Sequence, residues 1–197
     1  VLTSNHVVSS DGDCSIVELF VETIERIDTA PIRTHSAEIF AIDEQADLAI
    51  LKITPLNTFA NTLKAVKVSS KSNIGDPIIA IGFPGIGGDS VTVTSGEISG
   101  YANYGGIQWI KSSVSISGGN SGGGVFDSGG GLVGIPTMVV TAGVENTTDC
   151  RPDRDTNSDG EIDKDDQCVP VGGFINSLSP VGRAIDLANA NGLKVLP

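Results

Sequence analysis

The chain has 197 residues, enough for one domain or for two small subdomains that share a core. Its net charge of −12, with no basic cluster in the sequence, disfavours nucleic acid as a partner. No apolar run approaches the roughly 18 residues that a membrane span requires, and the sequence does not open with a signal peptide. These features predict a soluble protein in its mature or trimmed form.

Short segments rich in Val, Ile and Leu are separated by Gly and Ser about every ten residues, a pattern that is typical of an all-β barrel or sandwich. The predicted strands are residues 15–22, 38–42, 48–53, 77–81, 91–99, 107–111, 123–126, 132–140 and 172–175. One helix follows, with Ser179 as its N-cap and Pro180 at its first position. Four residues share its apolar face before Gly192 ends it: Val181, Ala184, Ile185 and Ala188.

Three polar residues stand where serine-dependent acyl transfer needs them. His6 lies where an apolar run meets a polar turn, and Asp47 stands at the mouth of the apolar strand 48–53. A buried carboxylate there needs a hydrogen-bonded partner, and an imidazole N–H would satisfy it. Ser121 lies among glycines, which let backbone N–H groups converge on one point. His35 lacks such a context and is predicted to be a solvated loop residue.

Three motifs, Thr3-Ser-Asn-His6, Asp47-Leu-Ala-Ile-Leu51 and Gly119-Asn-Ser-Gly-Gly123, carry these residues in the order His, Asp, Ser. In this the chain resembles the trypsin-like serine peptidases of the chymotrypsin fold, and more narrowly their bacterial HtrA/Deg branch. The resemblance implies two β-barrels with a C-terminal helix. Asn120 cannot form the ion pair with a newly cleaved amino terminus that the digestive members use.

The resemblance also implies the role of each site residue. Ser121 would be the nucleophile, His6 the base and Asp47 the residue that orients His6, while the N–H groups of Gly119 and Ser121 would form the oxyanion hole. The specificity pocket would be lined by Ser115, Thr137, Met138 and Val139. A neutral Ser115 at its base disfavours Lys or Arg at the cleavage position, and the β-branched Val139 narrows the pocket, so we expect cleavage after small or medium apolar residues.

The glycines and proline of residues 82–88 suggest a linker, and together with the resemblance they predict the domain organisation. Residues 1–84 would form the remainder of the first barrel, 85–89 a linker, 90–178 the second barrel with an insertion at 145–168, and 179–191 the helix. Members of the fold have roughly thirty or more residues before the histidine motif. We therefore expect the first barrel to lack its N-terminal strands. A missing N-terminal segment or a second chain would supply them, and the alternative is a genuinely reduced barrel.

Half of the net charge lies in residues 145–168, which hold nine acidic and three basic residues. Within this segment, residues 155–166 fit a 12-residue calcium loop with Gly160 at its sixth position. It is similar to the Asp-rich loops of thrombospondin type 3 repeats and dockerins. The predicted Ca²⁺ ligands are Asp155, Asn157, Asp159, Glu161 (through its carbonyl), Asp163 and Asp166. The alternative is a solvated acidic loop without a metal.

Cys150 and Cys168 bracket this loop, which suggests a disulfide and an extracellular or periplasmic location. The two thiols could alternatively be free, whereas a zinc site is disfavoured because no histidine lies near. Cys14 is left over, either buried or paired outside the chain.

The sequence thus predicts a secreted or periplasmic serine endopeptidase, with calcium as a cofactor and a protein or peptide as substrate. The alternative is a catalytically silent, calcium-stabilised binding or adhesion module on the same scaffold.

Overall fold

The computed structural model describes residues 1–9, 18–56, 63–69, 72–84, 90–137, 150–151, 159–161, 169–170 and 176–194. It divides into two compact units, Val1–Met138 with Ile175–Pro197, and Val139–Phe174. Strands dominate, as the sequence predicted. Cys14, the linker at 85–89 and the predicted strand 172–175 lie outside the described residues, as do Met138, Val139 and Cys168.

The N-terminal part of the first unit is an open antiparallel sheet of four strands, in the order β1-β4-β3-β2. The strands are β1 (Leu2–Thr3), β2 (Leu19–Thr23), β3 (Ile32–Asp43) and β4 (Leu48–Pro55). A single helical turn, α1 (Asn5–Val8), follows β1. Val8 packs with Ala49 and Leu51 of β4, so the core of this half-barrel lies directly beside α1.

The remainder of the first unit is a closed six-stranded barrel in the order β12-β7-β6-β5-β8-β9. Its strands are β5 (Pro77–Gly82), β6 (Thr92–Tyr104), β7 (Ile107–Ser112), β8 (Gly124–Asp127), β9 (Leu132–Pro136) and β12 (Asn176–Pro180). Inward side chains from all six strands fill the barrel, Ile78, Ile98, Val125 and Leu178 among them. A closed barrel with a half-barrel confirms the predicted fold class.

The position of β5 corrects the predicted domain boundary. β5 pairs with β6 and β8, and therefore belongs to the closed barrel, whereas the boundary at residue 84 assigned it to the first barrel. Glycine and proline punctuation after residue 82 suggested that boundary. The strand pairing shows instead that the chain passes from one sheet to the other between β4 and β5.

The C-terminal helix α2 (Val181–Ala190) begins one residue after Pro180, the predicted first helical position. Ser179 is not its N-cap, because this residue lies in β12, opposite Ile135, and is fully buried in the barrel wall. The predicted apolar face is confirmed by the burial of Ala184 and Ala188. Gly192, at φ +78°, ends the helix, and the Leu193 N–H donates to the Ala188 carbonyl.

His35 is buried in β3, so its prediction as a solvated loop residue is wrong. β3 pairs with β2 on one side and with β4 on the other, and the imidazole Nδ1 lies 2.9 Å from the Thr34 hydroxyl. A β-bulge explains the burial, because the register with β2 shifts by one residue beside Thr34. Thr34 and His35 are consequently both buried, which a strict alternation would forbid.

In the second unit, two short strands form an antiparallel ribbon, β10 (Cys150–Arg151) with β11 (Val169–Pro170). Cys150 is opposite Pro170. The ribbon brings together the ends of the segment that carries the predicted calcium loop.

Candidate active site

His6 is positioned by the transition from β1 to α1. β1 pairs with β4 through Leu2 opposite Ile50 and Thr3 opposite Ala49. This pairing fixes the position of the backbone just before His6. The Asn5 N–H then donates to the Asp47 carbonyl over 3.1 Å. The backbone leading to His6 is therefore held against the start of β4.

Asp47 ends the four-residue turn that joins β3 to β4. It has φ +50°, a left-handed conformation that aspartate tolerates better than most residues. Its neighbours Ala46 and Leu48 are fully buried, while the Asp47 side chain is 19% exposed. The buried neighbours fix the turn, and the carboxylate is directed toward α1.

The carboxylate of Asp47 engages both the ring and the backbone of His6. Oδ2 lies 2.7 Å from the imidazole Nδ1, and Oδ1 accepts a 2.9 Å bond from the His6 N–H. With Nδ1–H donated to the carboxylate, the lone pair of the neutral ring resides on Nε2. The imidazole itself is 45% exposed, so Nε2 is available to accept a proton.

Thr137 supplies a contact that the sequence did not predict. Its hydroxyl donates to Asp47 Oδ2, the oxygen that also binds His6. Thr137 is buried, immediately after β9. A threonine in an apolar strand gives no sequence signal of a partner 90 positions away, so only the fold identifies this pair.

The glycine-rich loop that carries Ser121 is a succession of tight turns. The N–H groups of Asn120, Gly122 and Gly123 donate to the carbonyls of Ser117, Pro136 and Asn120, over 3.0–3.1 Å. Within the described part of the chain, the N–H groups of Gly119 and Ser121 donate to no carbonyl. These two are the donors that the family resemblance assigns to the oxyanion hole.

The loop lies against the segment that leads to His6. A side chain at Gly122 would overlap the Thr3 hydroxyl, and its Cβ would come within 3.0 Å of the Ser4 nitrogen. Ser4 is fully buried, and its hydroxyl donates to the Pro136 carbonyl, which also accepts the Gly122 N–H. The Pro136 carbonyl of β9 thus joins the loop to the segment that leads to His6. Gly122, which directly follows Ser121, packs against this segment.

The predicted pocket is described only in part. Ser115 is exposed, and its carbonyl accepts a 2.8 Å bond from the Thr94 hydroxyl. The Thr137 hydroxyl donates its hydrogen bond to Asp47 Oδ2. Met138 and Val139 are outside the described residues, so the pocket stays a prediction.

Of the predicted calcium ligands, only Asp159 and Glu161 fall in the described part. Asp159 Oδ1 accepts the Glu161 N–H over 2.9 Å, around Gly160 at φ +91°. No cluster of three or more His, Cys, Asp or Glu side chains suited to a metal occurs among the described residues. Because Asp155, Asn157, Asp163 and Asp166 lie outside them, the calcium site remains a prediction, as does the Cys150–Cys168 bridge.

Comparison with known proteins shows which family and which proteins this chain is similar to. Residues 1–135 match the family described as a trypsin-like peptidase domain. The chain is 34% identical to a protein of Hahella chejuensis named "Probable periplasmic serine endoprotease DegP-like", over 72% of the chain. This chain is also 33% identical, over 73% of its own length, to "Periplasmic pH-dependent serine endoprotease DegQ" of Escherichia coli. The solved serine endoprotease of Yersinia pestis shares the fold, with a TM-score of 0.63 at 24% identity over 96% of this chain and 52% of that one.

The matched region is a small part of these relatives. It covers 28% of the Hahella chejuensis protein and 29% of the Escherichia coli protein.

In the part of the chain that the structure describes, no helix is long and apolar enough to cross a membrane.

Proposed function

The chain belongs to the trypsin-like peptidase domain family, and from this premise we propose that it is a serine endopeptidase that cleaves peptide bonds through an acyl-enzyme. The observation that carries the proposal is the 2.7 Å contact between His6 Nδ1 and Asp47 Oδ2. This contact orients the ring and leaves Nε2 as the proton acceptor, as a serine-activating base requires.

In the proposed reaction, the Ser121 Oγ proton passes to His6 Nε2 as Oγ bonds to the scissile carbonyl carbon. The oxyanion that forms is stabilised by the N–H groups of Gly119 and Ser121, which have no carbonyl partner among the described residues. His6 then protonates the leaving amine as the C–N bond breaks. A water, deprotonated by His6, hydrolyses the ester and restores the Ser121 hydroxyl.

Asp47 remains a carboxylate throughout and stabilises the imidazolium that forms in each step. Its two oxygens accept three hydrogen bonds, from the His6 ring, the His6 N–H and the Thr137 hydroxyl. A carboxylate held by three donors cannot rotate away from the ring, which supports the assigned role.

A fluorophosphonate probe tests the proposal, because it reacts only with an activated serine. We expect covalent labelling of the native chain, loss of labelling in Ser121→Ala, and retention in Ser117→Ala, a control in the same loop. Labelling that survives in Ser121→Ala would refute the assigned nucleophile. A folded native chain without labelling would favour the binding or adhesion module instead.

We propose further that cleavage follows small or medium apolar residues. In the pocket that the resemblance predicts, a neutral Ser115 would form the base and Val139 part of the wall, and these two residue types support the preference. A peptide library should give Ala and Val at the cleavage position, and a profile dominated by Arg or Lys would exclude this pocket assignment. The substrate class that we propose is accordingly a protein or peptide with exposed apolar side chains.

We also propose an extracytoplasmic location and a structural Ca²⁺. The relatives named above are periplasmic by name, and two cysteines bracket the acidic segment. The support for calcium is the ligand spacing of residues 155–166, together with the left-handed turn at Gly160 and the ribbon that joins the segment's ends. Calcium would order the segment by offsetting the repulsion among its carboxylates.

A further inference from the structure

The C-terminal helix binds Asp43, the last residue of β3, which directly precedes the turn that carries Asp47. Arg183, near the start of α2, places Nη2 2.7 Å from Asp43 Oδ2, and Asp43 Oδ1 accepts the Ala46 N–H over 3.0 Å. Asp43 ends β3, and Ala46 directly precedes Asp47. One carboxylate therefore connects α2 to the backbone beside Asp47.

This ion pair differs from the other arginine and lysine pairs of the described residues. The Asp43 side chain is only 14% exposed, whereas both partners are at least 46% exposed in the pairs Arg26–Asp28, Arg33–Glu22 and Lys52–Glu38. The Arg183 Nε is buried without a partner among the described residues. The Arg183 side chain as a whole is 38% exposed, and a partly exposed ion pair generally contributes little to stability, which points to a role in geometry.

The same turn is held at its middle by the closed barrel. The Gln45 side-chain amide donates to the Gly105 carbonyl, in the hairpin between β6 and β7. At its last residue, the Asp47 N–H donates to the Glu44 carbonyl over 3.3 Å. The turn thus joins three parts of the first unit, namely the half-barrel, α2 and the β6–β7 hairpin.

A fixed turn is needed because Asp47 adopts a conformation that the chain does not favour locally. A left-handed backbone conformation is less stable than a right-handed one for a non-glycine residue. Without external contacts, the turn could relax and move the carboxylate by more than the margin of a 2.7 Å hydrogen bond. His6 would then lose its orienting partner.

We propose that Asp43 and Arg183 are positioning residues that hold the Asp47 carboxylate within hydrogen-bonding distance of the His6 imidazole. The proposal deepens the proposed function and rests on it, because its catalytic consequence requires His6 to act as the base. Neither residue touches the reacting atoms. Their loss should lower the rate of acylation about tenfold and leave KM unchanged.

The variants for the test are Arg183→Met, which removes the charge at similar volume, and Asp43→Asn, which keeps an acceptor for the Ala46 N–H. Arg183→Lys retains the charge and should rescue most of the rate. Lys52→Met is the matched control, because it removes the exposed pair with Glu38 from the adjoining strands β3 and β4. Asp43→Asn decides the question if Arg183→Met fails to fold.

Two readouts separate the proposal from the proposed function. The first is the rate of fluorophosphonate labelling. The second is the NMR signal of the His6 Nδ1 proton, assigned by its loss in His6→Ala, since the chain has only two histidines. We expect Arg183→Met and Asp43→Asn to slow labelling about tenfold and to shift or broaden this signal well below the Tm, with Lys52→Met unchanged in both.

An unchanged His6 signal in folded Arg183→Met or Asp43→Asn would overturn the positioning role, whatever the Tm of the variant. A native chain that is not labelled would refute the proposed function instead, and the NMR comparison would still decide whether the pair positions Asp47.

Discussion

The Thr137 hydroxyl and the His6 imidazole meet at a single oxygen, Oδ2 of Asp47. Thr137 follows β9 of the closed barrel, and His6 lies beside the half-barrel. The carboxylate therefore bonds to the closed barrel and to the segment beside the half-barrel. The orientation of the imidazole consequently depends on how these two parts of the first unit are positioned relative to each other.

Replacing Thr137 with valine should slow the reaction of Ser121 while leaving the fold intact. Valine has nearly the same shape but no hydroxyl, so Asp47 loses a donor in a half-buried position. A hydrogen bond to a charged group contributes about 1.5–3 kcal/mol, and we expect a fall of at least tenfold in the labelling rate. Thr137→Ser keeps the donor and serves as the control. Equal labelling rates for the two variants would show that this bond does not support catalysis.

Gly122→Ala should be far more damaging than Gly130→Ala, although the two glycines have nearly the same φ angle. Their φ angles are +76° and +77°, so both substitutions incur a left-handed penalty of about 1–2 kcal/mol. A methyl group at Gly130 meets nothing within 4 Å, whereas one at Gly122 overlaps the Thr3 hydroxyl. Overpacking adds about 1–3 kcal/mol and moves the Ser121 loop away from Thr3, in the segment that leads to His6.

Chemical denaturation of both variants measures the difference, and fluorophosphonate labelling follows its effect on Ser121. We expect Gly130→Ala to be labelled normally and Gly122→Ala to be labelled slowly or not at all. Equal losses of stability in the two variants would contradict the contact between the loop and Thr3.

The sequence was sufficient to predict several strands and the pairing of His6 with Asp47, because both predictions depend on short-range patterns. Strands predicted at 48–53, 77–81 and 107–111 extend by only one or two residues in the structure. His6 and Asp47, identified from separate motifs, are in contact across 41 positions. A strict order of three motifs was informative where any single motif was not.

The errors arose where pairing, and not local pattern, decides the outcome. The burial of His35 follows from a bulge that only the partner strand reveals, and β5 is assigned to its barrel by hydrogen bonds to β6 and β8. Ser179 has the side chain of a good N-cap, yet its backbone pairs within β12. The contacts of Asp47 with Thr137, and of Asp43 with Arg183, join residues at least 90 positions apart. Periodicity and propensity carry no information over such a distance.

Calcium should raise the Tm of the native chain if residues 155–166 bind it. At a free concentration of 100 times Kd, a ligand that binds only the folded state adds about 2.7 kcal/mol to the free energy of unfolding. Asp155→Asn and Asp163→Asn should remove the effect, because each loses a predicted ligand. Asp153→Asn removes an equal charge just outside the loop and should respond as the native chain does. An equal response from all three variants would indicate charge screening and not a specific site.

The turn after β8 should make stability depend on pH through Asp127. The Ser69 hydroxyl and the N–H groups of Gly131 and Gly129 donate to its carboxylate, which lowers the pKa of Asp127 below its usual value of 3.8. Since the folded-state pKa is the lower one, its contribution to stability is complete above about pH 5 and is lost as the pH falls through the folded-state pKa. Asp127→Asn should therefore be less stable than the native chain near pH 7, by about 1 kcal/mol. The difference should shrink below pH 4.

Asp28 provides the matched control, because its pKa is also lowered, mainly by Arg26, but in an exposed ion pair. Salt screens an exposed pair of charges and leaves neutral donors largely unaffected. Urea unfolding of Asp28→Asn and Asp127→Asn at pH 7, in 0.05 M and 1 M NaCl, distinguishes the two. We expect the destabilisation by Asp127→Asn to persist at high salt and any effect of Asp28→Asn to vanish. A loss of both at 1 M NaCl would contradict the account based on neutral donors, because only charge–charge attraction is removed by screening.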